Sequence, residues 1–523
     1  MLPQLATTLV PIDTVKRGRQ PCDRAQLGDT SLGIKAGTFS GVLASLGLSA
    51  CALGPNFHAP AAPDVTRFTP APLPNRTAAT NVSGGTAQQF VDGLDVSGRW
   101  WTLYNSTALD ALVDRALHNN PDLQAADAAL RVARETFYAQ RGILAPTVGA
   151  DYNGSRQKVA AVLAPPVSSN AELFTLHTAQ LSISYTPDVF GGLGRQVESA
   201  KAQAEAQRFQ TEATYSTLIS NLVVAAIQEA LVRDQIATTK SVIKTNTAML
   251  DVMRRQFSFG EISRNDVTIQ EAALAQVEQT LPPLEKQRGQ ARDMIAALTG
   301  RYPGESDEVQ IQLSGLELPS QLPLSVPSKF VEQRPDIRAA EALLHVASAQ
   351  IGVAISNRLP NISLTASAGG SASELSQLFN HGNSAWALGG DVVQPIFQGR
   401  ALLHKQRAAE AAYAQAQAQY RSSVLTAFQN VADALQAIET DARALTSAAA
   451  SERHAEVSRG SARKKFEQGE VNSLVVLNAD QAVAQAQLMR LQSQAARYTD
   501  TAALFQALGG GWWNRSETLP TKD

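Results

Sequence analysis

Four short segments of the chain alternate between apolar and polar or small residues. In the first segment the apolar residues are at alternate positions, Val148, Ala150 and Tyr152. The apolar positions of the other three are Leu181, Ile183 and Tyr185; Ile362, Leu364, Ala366 and Ala368; and Trp386, Leu388 and Val392. A period of two with one apolar face predicts strands of a sheet that is wetted on one side only.

Each pair of predicted strands is followed by a very long helical pattern, at residues 196–257 and 400–465. At 1.5 Å per residue, each helix is about 90–100 Å long. In the second helix, apolar or alanine residues recur at alternating spacings of four and three, which is typical of a coiled-coil seam. These residues are Val424, Phe428, Val431, Leu435, Ile438, Ala442, Leu445 and Ala449. A second stripe of alanines beside the seam predicts two helical neighbours, as in a tube of helices; a plain helical bundle is the alternative.

The body of the chain is a duplication. Residues 257–279 resemble residues 466–488 at an offset of 209, and the segment that starts at Ala126 resembles the one that starts at Ala340 at an offset of 214. The unit is longer than the repeats of solenoid proteins, so we interpret it as a duplicated domain. Each copy is predicted to contain a helix, two strands joined by a loop, a very long helix, a tight turn and a long returning helix.

The one-sided sheet fits an outer-membrane barrel, which has lipid outside and water inside. A soluble, half-buried sheet is the alternative, but the helices are too long to cover its apolar face. Four strands cannot close a barrel around a passage, and each unpaired backbone group at an open edge would cost several kcal/mol in a bilayer. The chain is therefore expected to share its barrel with copies of itself. Two copies would give a filled eight-stranded barrel; three would leave room for a passage.

The N-terminal region reads as a leader. Residues 36–63 contain no Asp, Glu, Lys or Arg, Lys35 precedes them, and the apolar core from Thr38 to Leu48 leads into Leu48-Ser49-Ala50-Cys51. A basic flank and a short apolar core are typical of a secretory signal, and the Leu-Ser-Ala-Cys ending resembles a bacterial lipobox. We predict a leader over residues 1–50 and a lipid on Cys51. The first part of the leader is too long and too polar for a signal, which indicates a misassigned start. A buried cysteine in an ordinary helix is the alternative.

Composition excludes several classes of protein. The chain has 523 residues with 45 Lys+Arg against 47 Asp+Glu, so it lacks the basic surplus expected of a nucleic-acid-binding protein. Two cysteines exclude a disulfide scaffold or a four-cysteine zinc site. The seven histidines share no metal-ligand spacing, and there is no nucleophile elbow or phosphate loop. We predict no enzyme activity, no catalytic or metal-binding residue, and no cofactor besides the covalent lipid.

Several motifs in order resemble one family. They are CALGPNF from Cys51, the pair Trp100-Trp101, YTPDVFG from Tyr185, RPDIRAAE from Arg334 and ALGGGW from Ala507. Together they resemble the outer-membrane factors of tripartite efflux pumps, the TolC-like family, and within it the OprM/NodT-type lipoprotein branch. The resemblance extends over about residues 48–513.

The resemblance implies a mainly α fold with β strands. A homotrimer would form a twelve-stranded barrel in the outer membrane, a twelve-helix tunnel in the periplasm and a mixed equatorial belt around the tunnel. The tunnel tip would meet a periplasmic membrane-fusion adaptor, which links it to an inner-membrane resistance-nodulation-division pump. The implied domains are the leader (1–50), an anchored segment and belt (51–105), repeat 1 (106–300), a belt connection (301–332), repeat 2 (333–507) and a tail (508–523).

The two turns of the repeat would be the tips that contact the adaptor, and they hold Gly260, Glu261, Ile262, Ser263, Gly469, Glu470, Val471 and Asn472. A plain helical-hairpin turn, in which glycine supplies a positive φ, is compatible with this role. The family often closes the tip with acidic residues. Asp266 matches in the first copy, but Val475 replaces the acid in the second, where Asn478 is the next polar residue, and Phe466 stands where tyrosine is usual. We therefore predict a gate lined partly by Val475 that closes by dewetting.

The predicted function is that of an outer membrane lipoprotein channel of a tripartite efflux pump, which passively conducts small molecules to the exterior. One alternative is the outer duct of a type I protein secretion system. Another is a periplasmic coiled-coil scaffold without a pore. The resemblance places selectivity upstream of the duct, so the sequence assigns no exported compound.

Overall fold

The structure is a computed structural model, and it describes residues 53–163, 167, 169–305 and 311–515. Cys51 and the predicted leader lie outside the described residues, so lipidation remains a prediction. The first elements are β1 (Gln89–Asp92), α1 (Thr107–Asn119), α2 (Pro121–Gly142), β2 (Thr147–Lys158), β3 (Leu173–Tyr185), α3 (Gly192–Ser258), α4 (Arg264–Glu278) and α5 (Leu281–Leu298). They are followed by β4 (Gln321–Leu324), α6 (Pro327–Gln333), α7 (Pro335–Ser356), β5 (Asn361–Ala372), β6 (Ser384–Val393), α8 (Ala401–Glu467) and α9 (Ser473–Ala507).

The order and length of these elements show the duplication directly. Helices α2 and α7 have 22 residues each, and α3 and α8 have 67 residues each. Each pair of strands lies between a 22-residue and a 67-residue helix, as predicted. Helix α3 extends beyond its predicted bounds at both ends, whereas α8 begins one residue after its predicted start and ends two residues after its predicted end.

The returning helix differs between the copies. In the second copy α9 is continuous over 35 residues, as predicted. In the first copy the prediction of one long helix is wrong, because the chain breaks between α4 and α5. Pro282 and Pro283 lie in the first turn of α5. Proline lacks the backbone N–H and disfavours helical geometry in the residue before it, so a helix ends ahead of such a pair. The second copy has Leu491 and Gln492 at these positions.

The predicted seam of α8 is buried. Val431, Leu435 and Leu445 are fully enclosed, and α8 packs against both α7 and α9. Helices α3 and α7 contain apolar windows long enough to cross a membrane, with mean hydropathy 1.4 and 1.3. The window in α3 is 78% buried within the protein, which is what the core helix of a helical body shows.

The segments predicted as a belt come together around the helices. β1 and β4 pair in parallel and join the segment before repeat 1 to the connection between the repeats. Trp100, Trp101 and Tyr104 are fully buried beside α9. The Tyr104 hydroxyl donates to the Tyr498 carbonyl at 2.7 Å, and the Trp100 ring stacks on Phe505 with 5.3 Å between centroids.

The Arg-Pro-Asp motif is a structural corner at the start of α7. Arg334 forms a salt bridge with Asp336 at 2.6 Å and donates to the Ala507 carbonyl at the end of α9 at 2.9 Å. The motif therefore joins the start of the second repeat to its end.

Candidate functional site

The four sheet strands form one antiparallel sheet in the order β2-β3-β5-β6. Its register aligns the predicted apolar residues of all strands. Val148 pairs with Ile183, Ile183 with Ala366, and Ala366 with Leu388. The adjacent row is Ala150, Leu181, Ala368 and Trp386. One face of the sheet is therefore a continuous apolar surface, which confirms the prediction from the period of two.

No helix among the described residues covers this face. Val148 is 68% exposed, Trp386 is 74% exposed and Leu388 is 75% exposed. A soluble sheet buries such residues against another layer, so the alternative of a half-buried soluble sheet does not fit the geometry.

The opposite face is small and polar. One of its rows is Gly149, Ser182, Ser367 and Ala387, and the next is Asp151, Gln180, Gly369 and Ala385. The Ser182 hydroxyl donates to the Asp151 carboxylate at 3.2 Å. This face suits contact with water, whereas the apolar face suits lipid.

The sheet is open within the described chain, since β2 and β6 each have only one neighbouring strand. An open edge carries a row of unpaired N–H and C=O groups. Both edges are therefore available for pairing with another chain.

The two predicted tips share the same turn. Gly260 and Gly469 have φ of +77° and +75°. In the first tip the Gly260 N–H donates to the Phe257 carbonyl and the Glu261 N–H to the Gln256 carbonyl. In the second, the Gly469 N–H donates to Phe466 and the Glu470 N–H to Lys465. Both are Schellman motifs, which end a helix at a residue with positive φ.

A narrow clamp holds the start of the described chain, residues 53–57, which we call the strap. Arg195, in the first turn of α3, is 5% exposed. Its guanidinium donates to the Asn56 side-chain oxygen at 2.7 Å and to the Leu53 carbonyl at 3.3 Å. A Cβ on Gly352 of α7 would lie 2.7 Å from the Leu53 carbonyl oxygen, so glycine allows the strap to approach the helix.

The clamp continues from Arg195 to α7. Glu198 accepts from Arg195 at 2.7 Å, and its other oxygen lies 2.7 Å from His345 Nε2. The Phe57 ring stacks on the His345 ring at 4.3 Å. Burial raises the pKa of the Glu198 carboxyl, but hydrogen bonds from His345 and Arg195 outweigh it and hold the pKa below its ordinary value.

A family model for outer membrane efflux proteins matches residues 112–301 and 326–510, which are the two copies of the unit. The chain belongs to the outer membrane efflux protein family. It is therefore an outer membrane efflux protein, and its family is one of channels and not of enzymes.

Other outer membrane efflux proteins are similar over most of the chain. The pyoverdine export outer membrane protein OpmQ of Pseudomonas putida is 29% identical over 423 residues, which cover 80% of this chain and 89% of OpmQ. The outer membrane protein OprJ of Pseudomonas aeruginosa is 28% identical over 492 residues, covering 90% and 95%.

Solved channels have the same fold. The outer-membrane channel OprN superimposes with a TM-score of 0.77 at 25% identity, covering 88% of this chain and all of OprN. The open state of the MtrE channel of Neisseria gonorrhoeae gives a TM-score of 0.75 at 26% identity, covering 90% and 100%. The mainly helical fold with a small set of strands is thus the fold of this family's TolC-like channels.

The predicted tip residues of this efflux protein lie together at the two turns. Glu261, Ser263, Glu470 and Asn472 are exposed there, and Ile262 and Val471 are partly buried. Their contact with an adaptor remains a prediction.

The predicted gate residues occupy equivalent places that differ in chemistry. Asp266 is the third residue of α4 and forms a capping box with Ser263: its carboxylate accepts from the Ser263 N–H at 3.0 Å and from the Ser263 hydroxyl at 2.7 Å. Val475 is the third residue of α9, where Asn472 caps the helix alone. Val475 and Asn478 are both exposed, and Phe466 packs against a small cluster that contains Val476.

One pair of contacts at the tips was missed by sequence reasoning. Arg254 forms a salt bridge with Glu271 at 2.8 Å, and Arg463 forms one with Asp480 at 2.9 Å. Both residues of the second bridge lie 209 positions after those of the first. The sequence could have indicated these salt bridges, because a basic and an acidic residue occur at matching positions in both copies. The strap clamp offered no such signal, because Arg195 and His345 are distant in sequence.

No group of three or more His, Cys, Asp or Glu side chains within the described ranges could hold a metal ion.

Proposed function

We propose that the protein is the outer membrane lipoprotein channel of a tripartite efflux pump. Three copies would close a twelve-stranded barrel above a twelve-helix periplasmic tunnel. The channel would passively conduct small molecules from the adaptor and a resistance-nodulation-division pump to the exterior. The observation that carries this proposal is the open four-stranded sheet with one exposed apolar face and two unpaired edges.

The number of copies follows from the width of the bore. An eight-stranded barrel is filled by its own side chains, whereas a wider barrel leaves an aqueous passage. Three sheets of four strands give twelve. The small residues of the polar face, Gly149, Ser182 and Ser367 among them, would leave that passage open.

The strap bears on where a lipid on Cys51, which we propose from the sequence, would lie. Leu53 is held against α3 and α7 at the end of the sheet from which the helices extend. Two residues of chain span at most about 7 Å. A lipid on Cys51 would therefore enter the membrane beside the rim of the sheet, at the periplasmic side of the proposed barrel.

The names of relatives support a small-molecule cargo. OpmQ is named for pyoverdine export and TtgF of Pseudomonas putida for toluene efflux. We propose the same broad class of cargo for this chain, with the tips at Gly260 and Gly469 as the adaptor contact and Asp266 and Val475 near the closing point.

Cross-linking across the open edges tests the proposal. Cysteines at Val148 on β2 and at Val392 or Gly390 on β6 have the parity of the apolar face, so they meet only if β6 of one copy pairs with β2 of the next. We expect cross-linked species that end at three chains. The matched control is Ile183→Cys with Val392→Cys, because β3 is an interior strand. Cross-linked species that end at two chains, or the absence of any cross-linked species, would contradict the trimer.

Conductance of the purified protein in planar bilayers tests the passage itself. We expect a steady ion current through the trimer. A protein that inserts but conducts no ions would be a scaffold, and the proposal would be wrong.

A further inference from the structure

The strand β2 ends in two basic residues, Arg156 and Lys158, at the end of the sheet farthest from the helices. β2 pairs with β3 without interruption from Thr147 to Lys158, so alternate residues share a face throughout. Arg156 and Lys158 therefore lie on the apolar face with Val148, and not on the polar face.

Strand length places these two cations just beyond the hydrocarbon layer. A membrane-spanning strand needs about 9–11 residues, and that length counted from Thr147 ends at about Arg156. Tyr152 lies on the same face, and its hydroxyl is 2.8 Å from His177 Nδ1. By the same count Tyr152 is the sixth residue of the span and lies within the hydrocarbon layer, and its hydroxyl reaches toward His177, the cross-strand partner of Gly154.

Neither cation forms an ion pair with an acidic side chain of the described segments, although Glu172 follows closely across the hairpin, where its carbonyl accepts from the Val159 N–H at 2.8 Å. Both side chains are exposed. Their partners across the hairpin are neutral, since Arg156 pairs with Thr175 and Lys158 with Leu173. Leu173, the partner of Lys158, faces lipid, so Glu172 beside it belongs to the other parity; two cations on the lipid face without an ion pair there indicate an anionic group in the lipid itself.

We propose that Arg156 and Lys158, above Tyr152 and His177, bind the phosphates of a phosphorylated saccharolipid, lipid A, in the outer leaflet. The proposal rests on the barrel described above, which directs this face outward and this end to the exterior, where lipid A forms the leaflet. Guanidinium binds phosphate with two parallel hydrogen bonds, and ammonium binds it as a point charge. The two residues stand about 7 Å apart along the strand, so two phosphates of one headgroup can be held together.

Lipid binding to the full-length trimer provides the test. The protein is placed in phosphatidylethanolamine nanodiscs and titrated with diphosphoryl lipid A, with its dephosphorylated form or with phosphatidylglycerol, and bound lipid is counted by native mass spectrometry. We expect lipid A to bind best. Arg156→Gln with Lys158→Gln should weaken it about thirtyfold, as expected for the loss of two cations from an anionic surface.

A face-swapped variant is the matched control. The changes Ser155→Arg, Arg156→Ser, Gln157→Lys and Lys158→Gln keep the charge and the strand but move both cations to the polar face. We expect this variant to lose lipid A binding as the neutral variant does. Its ion preference should shift toward anions, because the cations would then face the bore.

Three outcomes would overturn the lipid A site: equal binding by the face-swapped and unchanged proteins, equal binding of phosphatidylglycerol and lipid A, or no preference for the phosphorylated form. Conductance separates these failures from a failure of the channel. If the unchanged protein conducts but shows no lipid A preference, only the site is wrong; if it does not conduct, the channel proposal is wrong.

Discussion

The two helical hairpins, α3 with α4 and α5 and α8 with α9, end alike but differ inside. Both tips have the same glycine turn and the same Arg–carboxylate bridge. Farther along, the first hairpin buries Glu229 completely, with Arg288 Nε at 2.9 Å and Arg233 at 3.4 Å. The second has Ile438 at the position equivalent to Glu229, and it is 1% exposed.

Nearer the tip the contrast repeats. Gln270 donates to the Asn246 side chain at 3.0 Å, and both residues are buried. The second hairpin has Ala455 and Ala479 at these positions. At these positions the first hairpin is held by polar contacts, and its returning helix is broken by prolines, whereas the second has apolar residues there and a continuous returning helix. After duplication the ends kept the chemistry that a turn requires, while the interiors diverged.

Removing the buried charge of the first hairpin should have the largest effect. We expect Glu229→Gln to destabilise the protein by about 2–4 kcal/mol, because two arginines lose their carboxylate in a partly buried site. Thermal unfolding of the purified protein measures the change, and Glu205→Gln, an exposed position on the same helix, is the control. Equal melting temperatures for the two variants would show that the network contributes nothing.

The second hairpin carries a half-buried acid, Asp441, where the first has Val232. Burial, together with a hydrogen bond and repulsion from Asp500, raises the pKa of Asp441 to about 7, against the opposing effect of Arg497. Between its ordinary pKa of 3.8 and this value, the folded chain holds a proton that the unfolded chain has released. Stability therefore falls as the pH rises through this range.

Asp441→Asn should remove this dependence. We expect it to stabilise the protein by about 1–2 kcal/mol at pH 8, after allowance for partial exposure, and to have almost no effect near pH 4. Unfolding at both pH values measures the difference, with the exposed Asp433→Asn as the control. A gain of the same size at both pH values would contradict the assignment to the Asp441 carboxyl.

Because both tips have the same turn, the same substitution should destabilise both tips equally. A Cβ on Gly260 or Gly469 would meet no atom within 4 Å. The positive φ is therefore the only source of strain when alanine replaces either glycine. Gly260→Ala and Gly469→Ala should each cost about 1 kcal/mol. Hydrogen exchange at the residues after each turn should increase equally in both variants. A much larger effect at one tip would show that the tips do not share one conformation.

How much of the structure could be predicted from the sequence depends on how far apart along the chain the interacting residues lie. The faces of the sheet and the long helices were predictable because their patterns repeat every two residues or every three to four. The break before α5 was also within reach, since Pro282 and Pro283 adjoin it. The strap clamp joins residues from three distant segments, so no local pattern carries it. The buried Glu229 looked like any charge on a helix until its partners on α5 were placed.

The smallest expected effect concerns the third residue of each returning helix. Asp266 completes a capping box, and Val475 leaves the equivalent box half formed. Val475→Asp should restore it and stabilise the tip by about 0.5 kcal/mol, whereas Asp266→Val should cost a similar amount. The same variant tests the proposed constriction, because three added carboxylates in the bore would raise cation preference in planar bilayers. Val475→Asn, which adds no charge, is the control. A more stable tip with unchanged ion preference would mean that Val475 serves the cap position only and lies outside the bore.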